Sequence, residues 1–274
     1  MMESTNKPLR VAIAGLGAIG KSLATRLTDG VVPGVVLTAV SAKNQDKAKE
    51  FVSKLAYPVK VLSISELEPE ADVVVECAPA ELLSDIIAPF LRAKKRAIVL
   101  SVGAILFKPE LIELAKTTGG TIMVPTGALI GLDAMVAAAE GEIFSVKMVT
   151  NKPPLGLKGA PHLIENNISV DGLTEPLKVF SGNAREAAKG FPANLNVVVA
   201  LALAGVGPEK THLEIWADPT VVRNTHTITV ESDSAKFSMK MENIPSENPK
   251  TGRIVAQSVV AMLRKMQATF QVGT

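Results

Sequence analysis

Cysteine is nearly absent. The 274-residue chain has one, Cys77, so an internal disulfide and a cysteine-based zinc site are both excluded. Aromatic residues are scarce too, with one Trp and one Tyr, and Lys plus Arg (29) barely exceeds Asp plus Glu (27). A net charge of +2 and so few stacking rings supply neither the basic footprint nor the platforms of a nucleic-acid binder. Long apolar runs are missing: Val197–Val206 is about half of what a membrane span needs. The stretch Met1 to Arg10 is polar and lacks the apolar centre of a signal peptide. A reducing cytoplasm, with no membrane partner, is the expected compartment. Metal boxes, P-loops and the motifs of serine or cysteine nucleophiles are also lacking, and no metal site is expected.

What remains is a globular composition, 47% hydrophobic and 20% charged. Over the first 125 residues, short apolar runs alternate with amphipathic ones, the pattern of βαβ units. Strands are predicted at Leu9–Ala14, Val35–Val40, Asp72–Cys77, Ala97–Val102 and Thr121–Val124, with a short extra one at Val59–Ser65. Helices are predicted at Ala18–Asp29, Asp46–Leu55, Glu81–Lys95 and Pro109–Thr117. The strand runs are too continuous to be half-exposed, as in a parallel sheet covered on both faces. After Pro125 the texture changes. A turn at Thr126–Gly131 leads into a helix, Leu132–Glu140, and a strand, Ile143–Thr150. Helices Ala184–Lys189 and Asn194–Ala204 follow, then period-two alternation through Thr211–Lys240. That alternation predicts antiparallel strands with one face wet or helix-covered. Asn248-Pro249 then opens a last helix, Gly252–Gln267. The fold class is therefore an α/β Rossmann domain, 1–125, followed by an α+β domain, 126–249. Its alternating strands show little apparent cover, so one sheet face needs a partner, and a homodimer is expected.

The strongest local signal is Gly15-Leu16-Gly17-Ala18-Ile19-Gly20, directly after the first strand and opening the first helix. Gly15 permits the tight turn, Gly17 lets a pyrophosphate approach the backbone, and Gly20 lets helix and strand pack closely. The helix N-terminus, at Ala18 and Ile19, offers N–H groups and a positive dipole end to the phosphates. NAD or NADP is the cofactor this implies. An NAD-selecting carboxylate belongs about 20 residues on, at the end of the second strand. The sequence there reads Val40-Ser41-Ala42-Lys43, with no acid. Ser41 and Lys43 suit a 2′-phosphate, so use of both dinucleotides is expected.

The remaining chemistry must come from the second half, which holds all three histidines. His162 follows Pro161 in a Gly/Pro-rich loop and reads as a surface residue. His212 starts a strand and reads as structural. His226, in Arg223-Asn224-Thr225-His226, has the polar setting of an acid–base group.

Several uncommon strings occur in order along the chain: Gly127-Ala128-Leu-Ile-Gly131-Leu132-Asp133-Ala134, Lys152-Pro153-Pro154, Phe191-Pro192-Ala193-Asn194-Leu195-Asn196-Val197, Ala217-Asp218-Pro219, Asn224-Thr-His226 and Ser246-Glu247-Asn248-Pro249-Lys250. With the glycine motif, they make the chain resemble the L-aspartate dehydrogenases that feed NAD biosynthesis. The resemblance implies oxidative deamination of L-aspartate to iminoaspartate, then oxaloacetate and ammonia, and the reverse reductive amination. It also implies an α+β domain that is both catalytic and dimerising, with the C-terminal helix, 250–274, packing back on the first domain. His226 matches the family's catalytic histidine. Ala128 and one Asn of the Phe191–Val197 string, Asn196 being favoured over Asn194, match its contacts near the nicotinamide. Lys152, Asn194 and Thr225 are candidates for holding the two substrate carboxylates. One departure is Asn151, where a basic residue is expected before Lys-Pro-Pro.

Two alternatives stay open. One is another two-domain reductase of small amino or keto acids, although the His-His pair of dihydrodipicolinate reductases is missing. The sugar oxidoreductases' Glu-Lys-Pro is also missing, since the corresponding strand ends Glu76-Cys77-Ala78-Pro79. The other is a non-catalytic NAD(P)-sensing regulator, which has no need of Asn-Thr-His and Lys-Pro-Pro together.

Overall fold

The structure is a computed structural model that describes residues 7–192, 195–245 and 252–273. The chain divides into two compact units, Met1–Pro125 with Ala256–Gln271, and Thr126–Val255 with Val272–Thr274.

The first unit runs β1 (Leu9–Ala14), α1 (Ala18–Thr28), β2 (Val35–Ser41), α2 (Gln45–Val52), β3 (Lys60–Val61), β4 (Val73–Glu76), α3 (Leu83–Arg92), β5 (Arg96–Val99), α4 (Val102–Ile105), α5 (Pro109–Thr118) and β6 (Thr121–Met123). Among the described residues these strands form a six-stranded sheet in the order β3-β2-β1-β4-β5-β6, with every pairing parallel. This is the doubly wound order in which the strand sequence reverses between β1 and β4, and a dinucleotide lies across that point. Alternation along β1 divides the core. Val11 and Ile13 face Leu23, Leu27 and the late-chain residues Val259 and Leu263. Ala12 and Ala14 face the other way, with Ala39 and Ala97, toward Ile86, Phe90 and Leu91 of α3. Small residues on that face let helix and sheet approach closely. The helix contributing Val259 and Leu263 is Ile254–Gln267, the last of the chain.

Local signals set several ends. Asn44 caps α2 by accepting from Lys47 N at 2.9 Å. Pro109 opens α5, and Gly119 closes it at φ 82°. Two predicted elements need correction. The helix expected over Glu81–Lys95 starts as a 3₁₀ turn, Ala80–Leu82, before α3. The strand expected over Ala97–Val102 stops at Val99, because the Leu100 and Ser101 N–H groups turn to the Glu76 carboxylate at 3.1 and 2.8 Å. Val102–Ile105 is helical instead.

The second unit runs α6 (Leu132–Ala138), β7 (Ile143–Lys152), α7 (Pro161–Glu165), β8 (Leu177–Asn183), α8 (Ala184–Gly190), α9 (Asn196–Ala204), β9 (Thr211–Ala217), β10 (Thr225–Ser232) and β11 (Lys236–Glu242); the following Ile254–Gln267 helix, α10, belongs from Ala256 onward to the first unit. Among the described residues the second unit's sheet has five strands, ordered β11-β10-β7-β9-β8. The antiparallel strands expected over Thr211–Lys240 are found in the pairing of β10 with β11 and of β9 with β8, but β9 runs parallel to β7 at the centre of the sheet. Period-two alternation reports a covered face and carries no information on direction. β8 escaped sequence reading because its register shifts between Lys178 and Phe180, so Val179 and Phe180 are both buried and the alternation breaks. Val146, Met148, Leu213, Ile215, Ile228 and Val230 form the covered face, with α8 and α9 packed on its β9 side. On the opposite face Lys147, Val149, Asn151, Glu214, Trp216, Thr225 and Thr227 remain half-buried or exposed. No helix among the described residues is long and apolar enough to cross a membrane. The predicted opening of the last helix at Asn248-Pro249 lies outside the described residues.

Candidate active site

In the first unit, β1 ends in the glycine turn. Gly15 has φ +102°, and a Cβ there would overlap the Cys77 carbonyl; one at Gly20 would overlap the Gly15 carbonyl oxygen. Both glycines are thus required by backbone contacts. Gly17 differs, because a Cβ there would meet nothing within 4 Å. Its bare backbone opens on solvent-accessible space at the N-terminus of α1, where Gly17 is the N-cap and no side chain caps the helix. A cleft of about 1390 Å³ lies beside it, lined by Gly15, Gly17, Lys21, Ser41, Lys43 and Lys47 among others. A side chain at position 17 would fill the space where a phosphate meets the helix, so the residues present fit a dinucleotide. Ala18 and Ile19 form the first turn of α1. Ser41 ends β2, buried, and its carbonyl accepts from Gly15 N at 2.8 Å. Lys43 is exposed at the same rim.

In the second unit the sheet brings together two groups far apart in sequence. His226 on β10 lies opposite Thr150 on β7, and its Nδ1 is 3.1 Å from the Thr150 hydroxyl. Lys152, two residues along β7, shares that covered face. His226 and Lys152 are each only 3% exposed. Burial, reinforced by the positive charge of Lys152, pushes the imidazole down to about 3. Burial likewise pushes the Lys152 ammonium down to about 8. The site therefore presents a neutral imidazole beside an ammonium that holds its proton at neutral pH.

Thr225, a candidate for holding a substrate carboxylate, is placed apart from that pair. Neighbours along a strand point to opposite faces, so Thr225 lies on the open face, away from His226 and Lys152. There it borders a shallow hollow with Asn151, Arg223, Thr227 and Lys240. Asn151, which stands where a basic residue was expected, is on that open face too and donates to Asp218 Oδ2 at 3.1 Å. Ala128 sits half-buried in the loop before α6, its carbonyl accepting from Asn243 Nδ2 at 3.2 Å. Asn196 is the exposed first residue of α9, while Asn194 lies outside the described residues. His162 is no loop surface residue: it belongs to α7 and packs against the rings of Phe180 and Phe191, with centroids at 5.2 and 5.3 Å. His212 faces the Ser181 hydroxyl on the neighbouring strand.

Sequence reasoning missed two groups. Thr150 could be found only from strand register. Glu76, fully buried, left a readable trace as a lone acid closing the apolar run Val73–Val75.

A Rossmann sheet with an open phosphate cradle, joined to a mixed-sheet unit holding a buried His–Lys pair, defines a two-domain NAD(P)-dependent oxidoreductase. Residues 133–266 match the family model described as aspartate dehydrogenase, C-terminal, and residues 15–125 match that described as homoserine dehydrogenase, NAD binding domain. L-aspartate dehydrogenase 3 of Bordetella bronchiseptica is 61% identical over 99% of this chain and 100% of its own length. The L-aspartate dehydrogenase of Bradyrhizobium diazoefficiens is 58% identical over 99% of this chain and 96% of its own. The crystal structure of aspartate dehydrogenase from Thermotoga maritima superposes with a TM-score of 0.75 at 26% identity, covering 97% of this chain and 99% of that one. The chain belongs to the L-aspartate dehydrogenase family.

Proposed function

We propose that the protein oxidises L-aspartate to iminoaspartate with NAD⁺ or NADP⁺, and that water converts the imine to oxaloacetate and ammonia. The observation that carries this reading is the burial of His226 and Lys152 on one covered sheet face. The dinucleotide, when bound, supplies the hydride acceptor. Lys152 offers its ammonium to a substrate carboxylate, an ion pair that water screens little at such burial. His226, neutral, accepts a proton from the water that adds to the imine carbon and returns it as ammonia departs. The Thr150 hydroxyl fixes the ring by engaging Nδ1. Ala128 and Asn196 are proposed contacts of the nicotinamide end. A panel of amino acids with each oxidised dinucleotide tests the assignment: cofactor reduction with L-aspartate above all others is expected, and none with aspartate would overturn it.

Cofactor choice follows from the rim at Ser41 and Lys43. Ser41→Asp places a carboxylate where a 2′-phosphate would lie, so the Kd for NADPH is expected to rise by about tenfold while that for NADH changes little. Equal weakening of both, read by fluorescence titration, would move Ser41 away from the ribose.

We further propose a cytoplasmic homodimer formed by the second unit, with a role in supplying NAD biosynthesis. The open sheet face supports the dimer, because Val149 and Trp216 lie half-buried on it among threonines. Val149→Asp is expected to give monomers at micromolar concentration in light scattering, where the parent chain is a dimer. A variant that stays dimeric would place the interface elsewhere.

A further inference from the structure

Glu76 is the most completely enclosed acid among the described residues, at 0% exposure, and the chemistry above does not use it. It ends β4, paired with Ala14 of β1 on one side and Val99 of β5 on the other, at the point where the strand order reverses. Its carboxylate accepts four hydrogen bonds. Oε1 takes Ala78 N–H and the Ser101 hydroxyl, both at 3.0 Å; Oε2 takes Leu100 N–H at 3.1 Å and Ser101 N–H at 2.8 Å. The donors come from two loops, the one leaving β4 and the one leaving β5. The Ser101 hydroxyl also lies 3.4 Å from the Ala78 carbonyl, an alternative acceptor for its one proton.

The β4 loop is the wall of the dinucleotide cleft. Cys77, Ala78 and Pro79 line it opposite Gly15 and Gly17. Cys77 N–H donates to Ala14 O at 2.8 Å, and the Cys77 carbonyl is the atom that a side chain at Gly15 would strike. At Gly15 the glycine turn and the wall are therefore set directly against each other, and beyond Cys77 the wall is tied to the β5 loop through the Glu76 carboxylate. We infer that Glu76 is a positioning residue for the dinucleotide, whose carboxylate clamps the β4 and β5 loops and so holds the cleft wall at the distance the cofactor needs.

A carboxylate is the side chain this job requires. It accepts only, and four donors converge on it. Burial drives its affinity for a proton up, and the Ser101, Leu100 and Ala78 donors oppose that. A glutamine keeps the shape and one acceptor oxygen, but its NH₂ must face either Ala78 N–H or the Leu100 and Ser101 N–H pair. Donor then meets donor, and one loop is released.

The inference rests on dinucleotide binding by the first unit and stands apart from the aspartate reading, so its test uses no aspartate. NADPH and NADH are titrated by fluorescence into the full chain carrying Glu76→Gln, well below its Tm. Kd for both is expected to rise about tenfold, because hydrogen bonds to a charged group are lost. Amide exchange at Ala78 or at Leu100 and Ser101 is expected to accelerate. In turnover, KM for the cofactor is expected to rise far more than kcat falls. Kd within about twofold of the parent value with a lowered Tm would show a purely structural brace and overturn the inference. So would a fall in kcat with Kd unchanged. Should Glu76→Gln fail to fold, Ser101→Ala decides: it removes one donor and keeps the carboxylate. A weaker NADPH Kd supports the clamp, and an unchanged one overturns it.

Discussion

His226→Ala is expected to lose roughly 10²- to 10⁴-fold in kcat for deamination while still binding NADPH. That loss corresponds to about 3 to 5 kcal/mol of barrier, the usual worth of a positioned proton-transfer group. Cofactor binding survives because the glycine turn and its cleft belong to the other unit. The free protein holds the imidazole neutral, pushed down to about 3 by burial and by Lys152. The sign of the pH effect on stability follows. The folded value lies below the ordinary 6.5, so the unfolded chain binds the proton first as pH falls. The contribution is complete above about 6.5 and is lost progressively toward about 3. His226→Asn should therefore abolish deamination and soften acid denaturation in that window. Single-turnover kinetics, a cofactor titration and Tm against pH measure the three parts. Near-parent turnover in His226→Ala would make the residue structural and move proton transfer to Lys152 or to water.

The second large effect concerns Lys152. Lys152→Met is expected to raise KM for L-aspartate by about 10- to 100-fold, because a charge-assisted hydrogen bond to a buried carboxylate is lost. Methionine keeps the length and apolar stem, so packing at this buried position is largely preserved. The ammonium is pushed down to about 8 by burial. Its charge is present below that value and fades as pH rises through it. Affinity for the dicarboxylate should fall in the parent chain above about 8, and this component should be missing in Lys152→Met. Comparing the two profiles cancels the titration of the substrate's own amino group. The same shift gives a stability effect of the same sign as that of His226, stability rising with pH. The unfolded lysine keeps its proton up to 10.5, so the folded state gains from about 8 to 10.5 as the burial cost of the charge disappears. If KM is unchanged and only Tm rises, Lys152 is a buried cation without a substrate role.

The first unit was readable to within a few residues because its signals are local. Continuous Val and Ile runs mark strands covered on both faces, Pro109 and Gly119 bracket α5, and Gly15–Gly20 fix the turn between β1 and α1. The places where reading failed depend on contacts distant in sequence. β5 ends early because Glu76, 25 residues before Ser101, competes for its N–H groups. The parallel pairing of β7 with β9 leaves no trace in either strand's alternation. In the site, His226 and Lys152 were legible as residue types in uncommon strings. That Thr225 belongs to the opposite face is implied by its being next to His226 in a strand. Thr150 carries no local mark at all. It matters only because register sets it opposite His226.

That register has a consequence for how the site comes into being. Thr150 and His226 are 76 residues apart, and β7, which carries Thr150 and Lys152, is zipped on both edges, to β10 and to β9. The parallel edge closes only after the chain has crossed from Lys152 to Thr211 through β8, α8 and α9. Closing such long loops is slow and is rewarded only when the strands meet. A partly assembled chain therefore has no partly assembled imidazole–ammonium pair. The pair exists only once β7 and β10 have met across those 76 residues. Lys152 sits on the central strand and His226 on the strand beside it, so neither belongs to an edge strand, β8 or β11, where fraying begins.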